Sequence, residues 1–295
     1  MDRGKTPLHN DLGDYHLPIK HMLDGFEKVD PPSEKKLAVG IDLPEHCCAR
    51  AKRASSAKAR AIGDLILIAF YFLLRIGEYT IKRTRNNSKR TVQFRMRDVI
   101  FFKKHQGRLQ QLPRTAPDRD ILSADGVTLR LSNQKNGYKN ACIHQEHNGH
   151  DFLSPVRAVG RRVCHIRQHS TDPDIFLSAF FEDEGRTGDV TDTDIRKELK
   201  IAAVALNYES RGIPVTRIDT HSLRAGGANA LHLSGYADRE IQKMGRWTSE
   251  TFKEYIQEQL SSFTEGMSTK MRQRFNFVNV EGGILNNITN TIMGY

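Results

Sequence analysis

The most constraining feature of the sequence is an uninterrupted run of ten apolar residues, Leu65 to Leu74. A membrane-spanning helix needs ~20 such residues, so the run predicts a buried element of a soluble protein. Upstream of it, apolar residues recur at helical spacing from Ala57, and Ser55 or Ser56 is available as the N-cap. The sequence therefore predicts a long helix that begins near Ser55, is buried on nearly all sides and ends close to Arg75.

The N-terminal segment and the cysteines predict an intracellular protein. The first residues, MDRGKTPLHND, lack the apolar core of a signal peptide. The four cysteines, two of them adjacent at Cys47 and Cys48, are not spaced like a disulfide framework. They are typical of a protein in a reducing compartment. In a eukaryotic cell, we expect the protein in the nucleus.

Positive charge is concentrated in one part of the chain. Residues 82–119 carry twelve Lys and Arg and two Asp, a net charge of +10 that equals the net charge of all 295 residues. A localised basic surface attracts polyanions, and the backbone of a nucleic acid is the commonest of them. The composition therefore favours a nucleic acid as a partner, although a solvated basic face without a partner stays open.

The periodicity predicts a mainly helical (α+β) fold with a small antiparallel sheet. Alternation predicts strands at 91–97 and around Val127 to Leu131, and Asn136-Gly137 is typical of a hairpin turn that places Lys135 at or beside its tip. Five more helices are predicted at about 155–168, 193–208, 222–234, 238–244 and 249–257. The predicted organisation has three parts. Residues 1–50 form a linker and the remnant of a preceding domain, residues 51–280 form one domain, and residues 281–295 form a tail.

Charged residues at helical spacing indicate two candidate anion sites. Arg75 follows the apolar run and Glu78 lies one helical turn later, so the pair either only closes the helix or holds the guanidinium toward a phosphate. In HSLRAGGAN, His221 and Arg224 share a helix face. Gly226 and Gly227 predict the close approach of another backbone there, and an incidental surface His and Arg is the alternative.

The order of these residues carries a family resemblance. Arg75 with Glu78, a lysine beside the hairpin turn, the HxxR of His221 and Arg224, and the Trp247 of GRW followed by Tyr255 resemble the tyrosine recombinases. The match covers about residues 55–260. The GRW version is similar to recombinases of eukaryotic mobile elements such as DIRS-like retroelements and cryptons.

The resemblance implies a fold, a reaction and a role for each residue. It implies the family's catalytic-domain fold and site-specific cutting and rejoining of DNA through a 3′-phosphotyrosyl link to Tyr255. Arg75 and Arg224 would clamp the phosphate, and Lys135, or alternatively Lys139, would protonate the departing oxygen. His221 would position or deprotonate the tyrosine, and Trp247 would donate to the phosphate or pack on Tyr255. No metal or cofactor is implied, and assembly on DNA would be a homotetramer.

The same interpretation assigns the basic stretch to sequence-independent binding of the DNA backbone. The residues assigned to it are Lys82, Arg83, Arg85, Lys89, Arg90, Arg95, Arg97 and Lys139. Three alternatives remain: an inactive DNA-binding remnant without the family's N-terminal clamp, a type IB topoisomerase-like enzyme, and a zinc site among Cys142, Cys164 and the neighbouring histidines, whose spacing matches no common zinc signature.

Overall fold

The structure is a computed structural model, and it describes residues 36–81, 92–131, 141–183 and 185–247, the strand pair 279–280 and 283–284, and single positions at Leu17, Lys20, His21 and Lys253. Contacts divide the chain into two units, Met1–Lys36 and Leu37–Tyr295. Everything below concerns the second unit. The domain limits predicted at residues 50 and 280 stay a prediction.

In the described residues, the second unit consists of helices, one four-stranded antiparallel sheet and two strand pairs, so the prediction of a mainly helical fold with a small antiparallel sheet is confirmed. The helices are α1 Asp42–Lys52, α2 Ala57–Tyr71, α3 Ile76–Tyr79, α4 Asp118–Leu122, α5 Pro155–Arg167, α6 Asp192–Ala205, α7 Thr220–Leu233 and α8 Asp238–Gly245. The strands are β1 Val99–His105, β2 Arg108–Gln111, β3 Gly126–Leu131, β4 Ala141–Glu146, β5 Ala179–Phe181, β6 Thr187–Asp189, β7 Asn279–Val280 and β8 Gly283–Ile284.

Helix α2 is the centre of the core. All of its residues from Gly63 to Phe70 are buried, and α1, α5, α6 and α7 all pack against it. Its N-terminus is capped by the Ser56 side chain and by Glu182, whose carboxylate accepts from the backbone N–H groups of Ala57 and Lys58 at 2.9 and 3.0 Å. These hydrogen bonds lower the pKa of Glu182 to about 2.

The apolar run therefore forms the predicted buried helix, but the helix ends at Tyr71 and not close to Arg75. Leu73 adopts a left-handed conformation with φ of 48°, which stops the helix although the sequence continues to be apolar. A second difference is α1, which lies in a segment without clear periodicity and is stabilised by the burial of Leu43, Cys47 and Cys48.

The main sheet has the strand order β2-β1-β3-β4, and all of its pairs are antiparallel. Strand β3 lies where alternation predicts it, and the pairing of Leu131 with Ala141 brings the flanks of residues 132–140 together. Those nine residues, which include Asn136-Gly137, Lys135 and Lys139, lie outside the described residues.

The strand predicted at 91–97 is wrong. Phe94 is buried, but its N–H donates to the Glu78 carbonyl of helix α3 and its own carbonyl accepts from Leu177 in a loop, so it does not pair with a neighbouring strand. Residues Met96–Asp98 then form a 3-10 turn, and the sheet begins at Val99.

The other helices confirm the predicted segments within a few residues. Four of those predicted after the sheet correspond to α5, α6, α7 and α8, while the one predicted at 249–257 lies outside the described residues except for Lys253. In the described part of the chain, no helix combines the length and the apolar character that crossing a membrane requires.

Candidate active site

The turn that follows α2 is the framework of the candidate site. After the left-handed Leu73, the chain continues through Leu74 to Arg75, which is the N-cap of the short helix α3. Leu73 is 1% exposed and packs against Gly227 of α7, where a Cβ would overlap both its side chain and the Phe70 carbonyl oxygen. The close approach predicted for the glycine pair is therefore confirmed, and it presses α7 against this turn.

Glu78 holds Arg75 through two contacts. Its Oε2 accepts from the Arg75 backbone N–H at 2.8 Å, and its Oε1 lies 3.4 Å from the Arg75 Nη1. The Glu78 side chain is fully buried, while that of Arg75 keeps 23% of its surface exposed. The ion pair that closes the helix therefore exists, and it leaves part of the guanidinium accessible to a solute.

Arg246 completes this cluster, and it is not among the residues predicted for the site. Its Nη2 lies 2.9 Å from the Glu78 Oε2, and its guanidinium also donates to the carbonyls of Phe72 and Leu73 at 3.2 Å. Burial lowers the pKa of Arg246, and the Glu78 carboxylate opposes that effect. The sequence signal for Arg246 is its position in the GRW segment. Arg246 follows α8 in a left-handed conformation with φ of 58°, and from there its side chain reaches Glu78.

Arg224 of α7 reaches the same turn from the opposite helix. It is 2% exposed, its Nη1 donates to the Leu73 carbonyl at 2.5 Å, and its Nη2 donates to the Gly245 carbonyl. Its guanidinium lies 4.2 Å from the centre of the Trp247 ring, a cation–π contact. The Trp247 ring in turn packs on Gly245, where any Cβ would overlap it.

The structure thus connects four of the predicted site residues: Arg75, Glu78, Arg224 and Trp247. His221 lies one turn before Arg224 on α7 and is exposed. Lys135, Lys139 and Tyr255 lie outside the described residues, so their roles stay predictions.

The cluster has an excess of positive charge. Arg75 and Arg246 pair with one carboxylate, that of Glu78, and Arg224 shares the Leu73 carbonyl with Arg246, so the net charge of these four groups is +2. Guanidinium groups bind phosphate oxygens through pairs of N–H donors, and fixed donors of this kind stabilise charge that develops in a phosphoryl-transfer transition state. The arrangement is therefore suited to an anionic substrate such as a phosphodiester.

Most described cations of the basic stretch already have acidic neighbours. Arg95 and Arg97 both contact the Asp174 Oδ1, at 2.9 and 2.5 Å, and these side chains are about one third to one half exposed. Lys103, Lys104 and Arg119 are also paired, with Asp125, Glu146 and Asp120. The candidates Lys82, Arg83, Arg85, Lys89 and Arg90 lie outside the described residues.

The zinc alternative can be tested only for part of the chain. Among the residues that the structure describes, no group of three or more His, Cys, Asp or Glu lies close enough to hold a metal ion. Cys142 is exposed on β4, whereas Cys164 is buried on α5.

Comparison with known proteins finds structural neighbours but no sequence relatives. No family model matches the sequence, and no curated protein matches it. The XerA recombinase structure aligns with 83% of this chain and 67% of its own, at 16% identity and a TM-score of 0.46. The XerH site-specific recombinase bound to its difH substrate aligns with 88% and 59%, at 14% identity and a TM-score of 0.46.

A third neighbour is the Tn1549 transposon integrase in complex with a circular intermediate DNA. It aligns with 82% of this chain and 68% of its own, at 14% identity and a TM-score of 0.42. At identities and TM-scores this low, the function of a neighbour cannot be assigned to this chain. Its function has to be argued from its own residues.

Proposed function

We propose that this protein is a site-specific DNA recombinase or integrase that cuts and rejoins duplex DNA through a tyrosine. The observation that carries the proposal is that Arg224 and Arg246, far away in the sequence, both bond to the turn at Leu73 that leads into Arg75, with Trp247 stacked on Arg224. A helix-closing pair would need only Arg75 and Glu78. Two further arginines at the same turn add positive charge that such a pair does not require.

In the proposed reaction, the phenol oxygen of Tyr255 attacks the scissile phosphorus and the bond from phosphorus to the 5′ oxygen breaks. The tyrosine proton passes to His221, and the departing 5′ oxygen takes a proton from Lys135, or from Lys139. Attack by a 5′ hydroxyl on the phosphotyrosyl bond then reverses these steps, so the DNA is rejoined without hydrolysis. Arg75 and Arg224 contact the non-bridging oxygens throughout.

The two arginines differ in how readily they can contact a phosphate. Arg75 is partly exposed and needs no rearrangement of the backbone. Arg224 is buried and donates to two carbonyls, so it must exchange at least one of these hydrogen bonds for a phosphate oxygen. A charged acceptor makes a stronger hydrogen bond than a carbonyl, which favours that exchange when DNA is bound.

A trapping experiment tests the catalytic role of Tyr255. The substrate is a pool of end-labelled duplexes with randomised sequence around a nick. Cleavage close to the nick releases a short fragment with the 5′ hydroxyl that rejoining needs, so the phosphotyrosyl link accumulates. We expect a labelled protein band in denaturing electrophoresis with the natural sequence and none with Tyr255→Phe, because phenylalanine has no nucleophile. Tyr236→Phe, at a tyrosine that is 52% exposed, is the matched control and should keep the band.

Other outcomes of this experiment, together with a DNA-binding assay and a plasmid-relaxation assay, distinguish the alternatives. A band that persists in Tyr255→Phe removes Tyr255 from the reaction. DNA binding without any covalent band supports the inactive remnant. Relaxation of supercoiled plasmid by the monomer, without exchange between duplexes, supports the topoisomerase-like enzyme.

Asp174 gives a separate prediction for the DNA-binding surface. Asp174→Asn should release Arg95 and Arg97 and strengthen binding to nonspecific duplex DNA several-fold at low salt. Each arginine gained as a phosphate contact steepens the slope of log K against log salt by about 0.9. Fluorescence anisotropy measures both quantities. Asp183→Asn, the same charge change at an exposed position, should leave the slope unchanged, and equal slopes for both variants would contradict the assignment.

The assembly and the biological setting belong to the same proposal. Exchange between two duplexes requires four strand cleavages, which favours a homotetramer on DNA. The GRW segment supports an origin in a mobile element of the DIRS or crypton type, with action in the nucleus, and the arginines supply the phosphate contacts without a required metal.

A further inference from the structure

A cavity of about 300 Å³ lies among α1, the first half of α2 and α5. Its lining includes four cationic side chains, Lys52, Arg60, Arg161 and Arg162, and one carboxylate, Asp64. His165 also lines it, and burial, followed by the charge of Arg162, lowers the pKa of this histidine to about 4. The lining therefore carries a net charge of +3 at neutral pH.

One of the cations is neutralised within the wall. Arg161 donates from Nε and Nη2 to the Asp64 Oδ1 at 2.9 and 2.5 Å, and its Nη1 donates to the Phe152 carbonyl. The guanidinium also lies 4.2 Å from the centre of the Phe152 ring. Arg161 is fully occupied, whereas the second oxygen of Asp64, Oδ2, takes part in none of the hydrogen bonds found among the described residues.

Arg162 is the unusual member of the lining. It is 2% exposed, and it donates from Nε to the Leu177 carbonyl at 3.1 Å and from Nη2 to the Ala179 carbonyl. Its Nη1 makes no hydrogen bond within the part of the chain that the structure describes, and no carboxylate there pairs with it directly. Burial lowers its pKa to about 10, so it remains charged at pH 7. Asp64 and Asp189 offset this charge only from a distance, and a buried charge without a directly bonded carboxylate is costly, so a bound anion would lower that cost.

Two exposed cations lie on the same cavity. The Lys52 ammonium lies 4.7 Å from the centre of the Phe152 ring, and Arg60 uses only its Nη1, on the carbonyls of Ala54 and Ser55. Lys52 and the remaining nitrogens of Arg60 are therefore available to a ligand together with Arg162. The rest of the lining includes apolar groups, among them Leu122 and Phe152.

We propose that this cavity binds a small organic phosphate. The phosphate group contacts Arg162, Lys52 and Arg60, and a hydroxyl group of the ligand donates to the Asp64 Oδ2. Asp64 and Asp189 act on Arg162, and Glu182 on Arg60, only at longer range, and none of the three cations forms a direct ion pair among the described residues. Three such cations match the charge of a phosphate monoester better than that of a single carboxylate. The volume is at the lower end of the range for small-molecule sites, and a buried arginine is out of reach of a duplex backbone.

Calorimetric titration of the full chain tests this site independently of the chemistry at Tyr255. The probes are glycerol 3-phosphate, ribose 5-phosphate and adenosine monophosphate, with inorganic phosphate and ribose as comparisons. We expect at least one organic phosphate to bind at least ten-fold more tightly than either comparison. Failure of all three to bind at 10 mM, or equal affinity for inorganic phosphate, would overturn the proposal.

A pair of double variants then assigns the binding to the cavity. Lys52→Ala with Arg60→Ala should weaken it at least ten-fold, and both side chains are exposed. Because Arg60 also donates to the carbonyls of Ala54 and Ser55, an unchanged urea denaturation curve checks that the fold is kept. Lys197→Ala with Lys200→Ala makes the same charge change on exposed positions of α6 and should leave the affinity unchanged. Equal weakening in the two double variants would contradict the cavity as the site.

Discussion

Replacing Gly226 by alanine is expected to lower the free energy of unfolding by about 3 kcal/mol or more. A Cβ at this position would overlap the carbonyl oxygen of Val39 and lie 3.0 Å from the Phe70 ring. Backbone atoms cannot rotate away as a flexible side chain can, so α7 must separate from the segment before α1. Urea denaturation followed by circular dichroism measures the loss.

Gly160 in α5 is the matched control for this substitution. It is also a buried helical glycine, but a Cβ there would meet its nearest neighbour, the Ile121 carbonyl oxygen, at 3.4 Å. Alanine gains about 1 kcal/mol over glycine in a helix interior, so Gly160→Ala should be neutral or stabilising. If the two variants lost equal stability, close backbone contact would not be the reason that Gly226 is required.

The second large effect is expected for Arg246→Met. Among the described residues, this change leaves the fully buried Glu78 with Arg75, at 3.4 Å, as its remaining ionic partner, and breaking a buried pair in this way costs about 3 kcal/mol or more. It also removes the hydrogen bonds that hold the carbonyls of Phe72 and Leu73. Trp247 is the sole tryptophan of the chain, so its emission should shift to longer wavelength as the Gly245–Trp247 segment loosens.

Two further variants separate the charge effect from the loss of packing. Glu78→Gln combined with Arg246→Met should lose less stability than the sum of the two single changes, because no uncompensated carboxylate is left. Arg211→Met breaks an exposed pair with Asp42, whose atoms lie 2.6 Å apart, and should cost at most about 1 kcal/mol. A strictly additive double variant would show that the Glu78–Arg246 pair is not coupled.

The fold was predictable where a single helix or strand buries its own apolar pattern. Helix α2 and strand β3 follow directly from the spacing of their apolar residues. The strand predicted at 91–97 failed because Phe94 fills the core from an irregular segment, and alternation does not distinguish such a segment from a strand. The end of α2 was also misplaced, since the left-handed Leu73 depends on its packing against Gly227.

The candidate site was predictable in its residue types but not in its connections. The order of Arg75, Arg224 and Trp247 indicates a shared site, and the structure joins all three through one turn. Arg246 could not be selected in advance because its contact with Glu78 depends on a tertiary fit between the ends of α2 and α8. Short-range spacing predicts which residues share a helix face, and it contains no information on such contacts between distant elements.

The Leu73 carbonyl oxygen links the behaviour of the two buried arginines. It accepts from both Arg224 and Arg246, which occupies both of its lone pairs. Loss of the Arg224 hydrogen bond would leave this peptide group held by Arg246 alone, and Arg246 is itself fixed by the Phe72 carbonyl and by Glu78. One backbone carbonyl is thus the shared anchor of two guanidinium groups that lie 22 positions apart in the sequence.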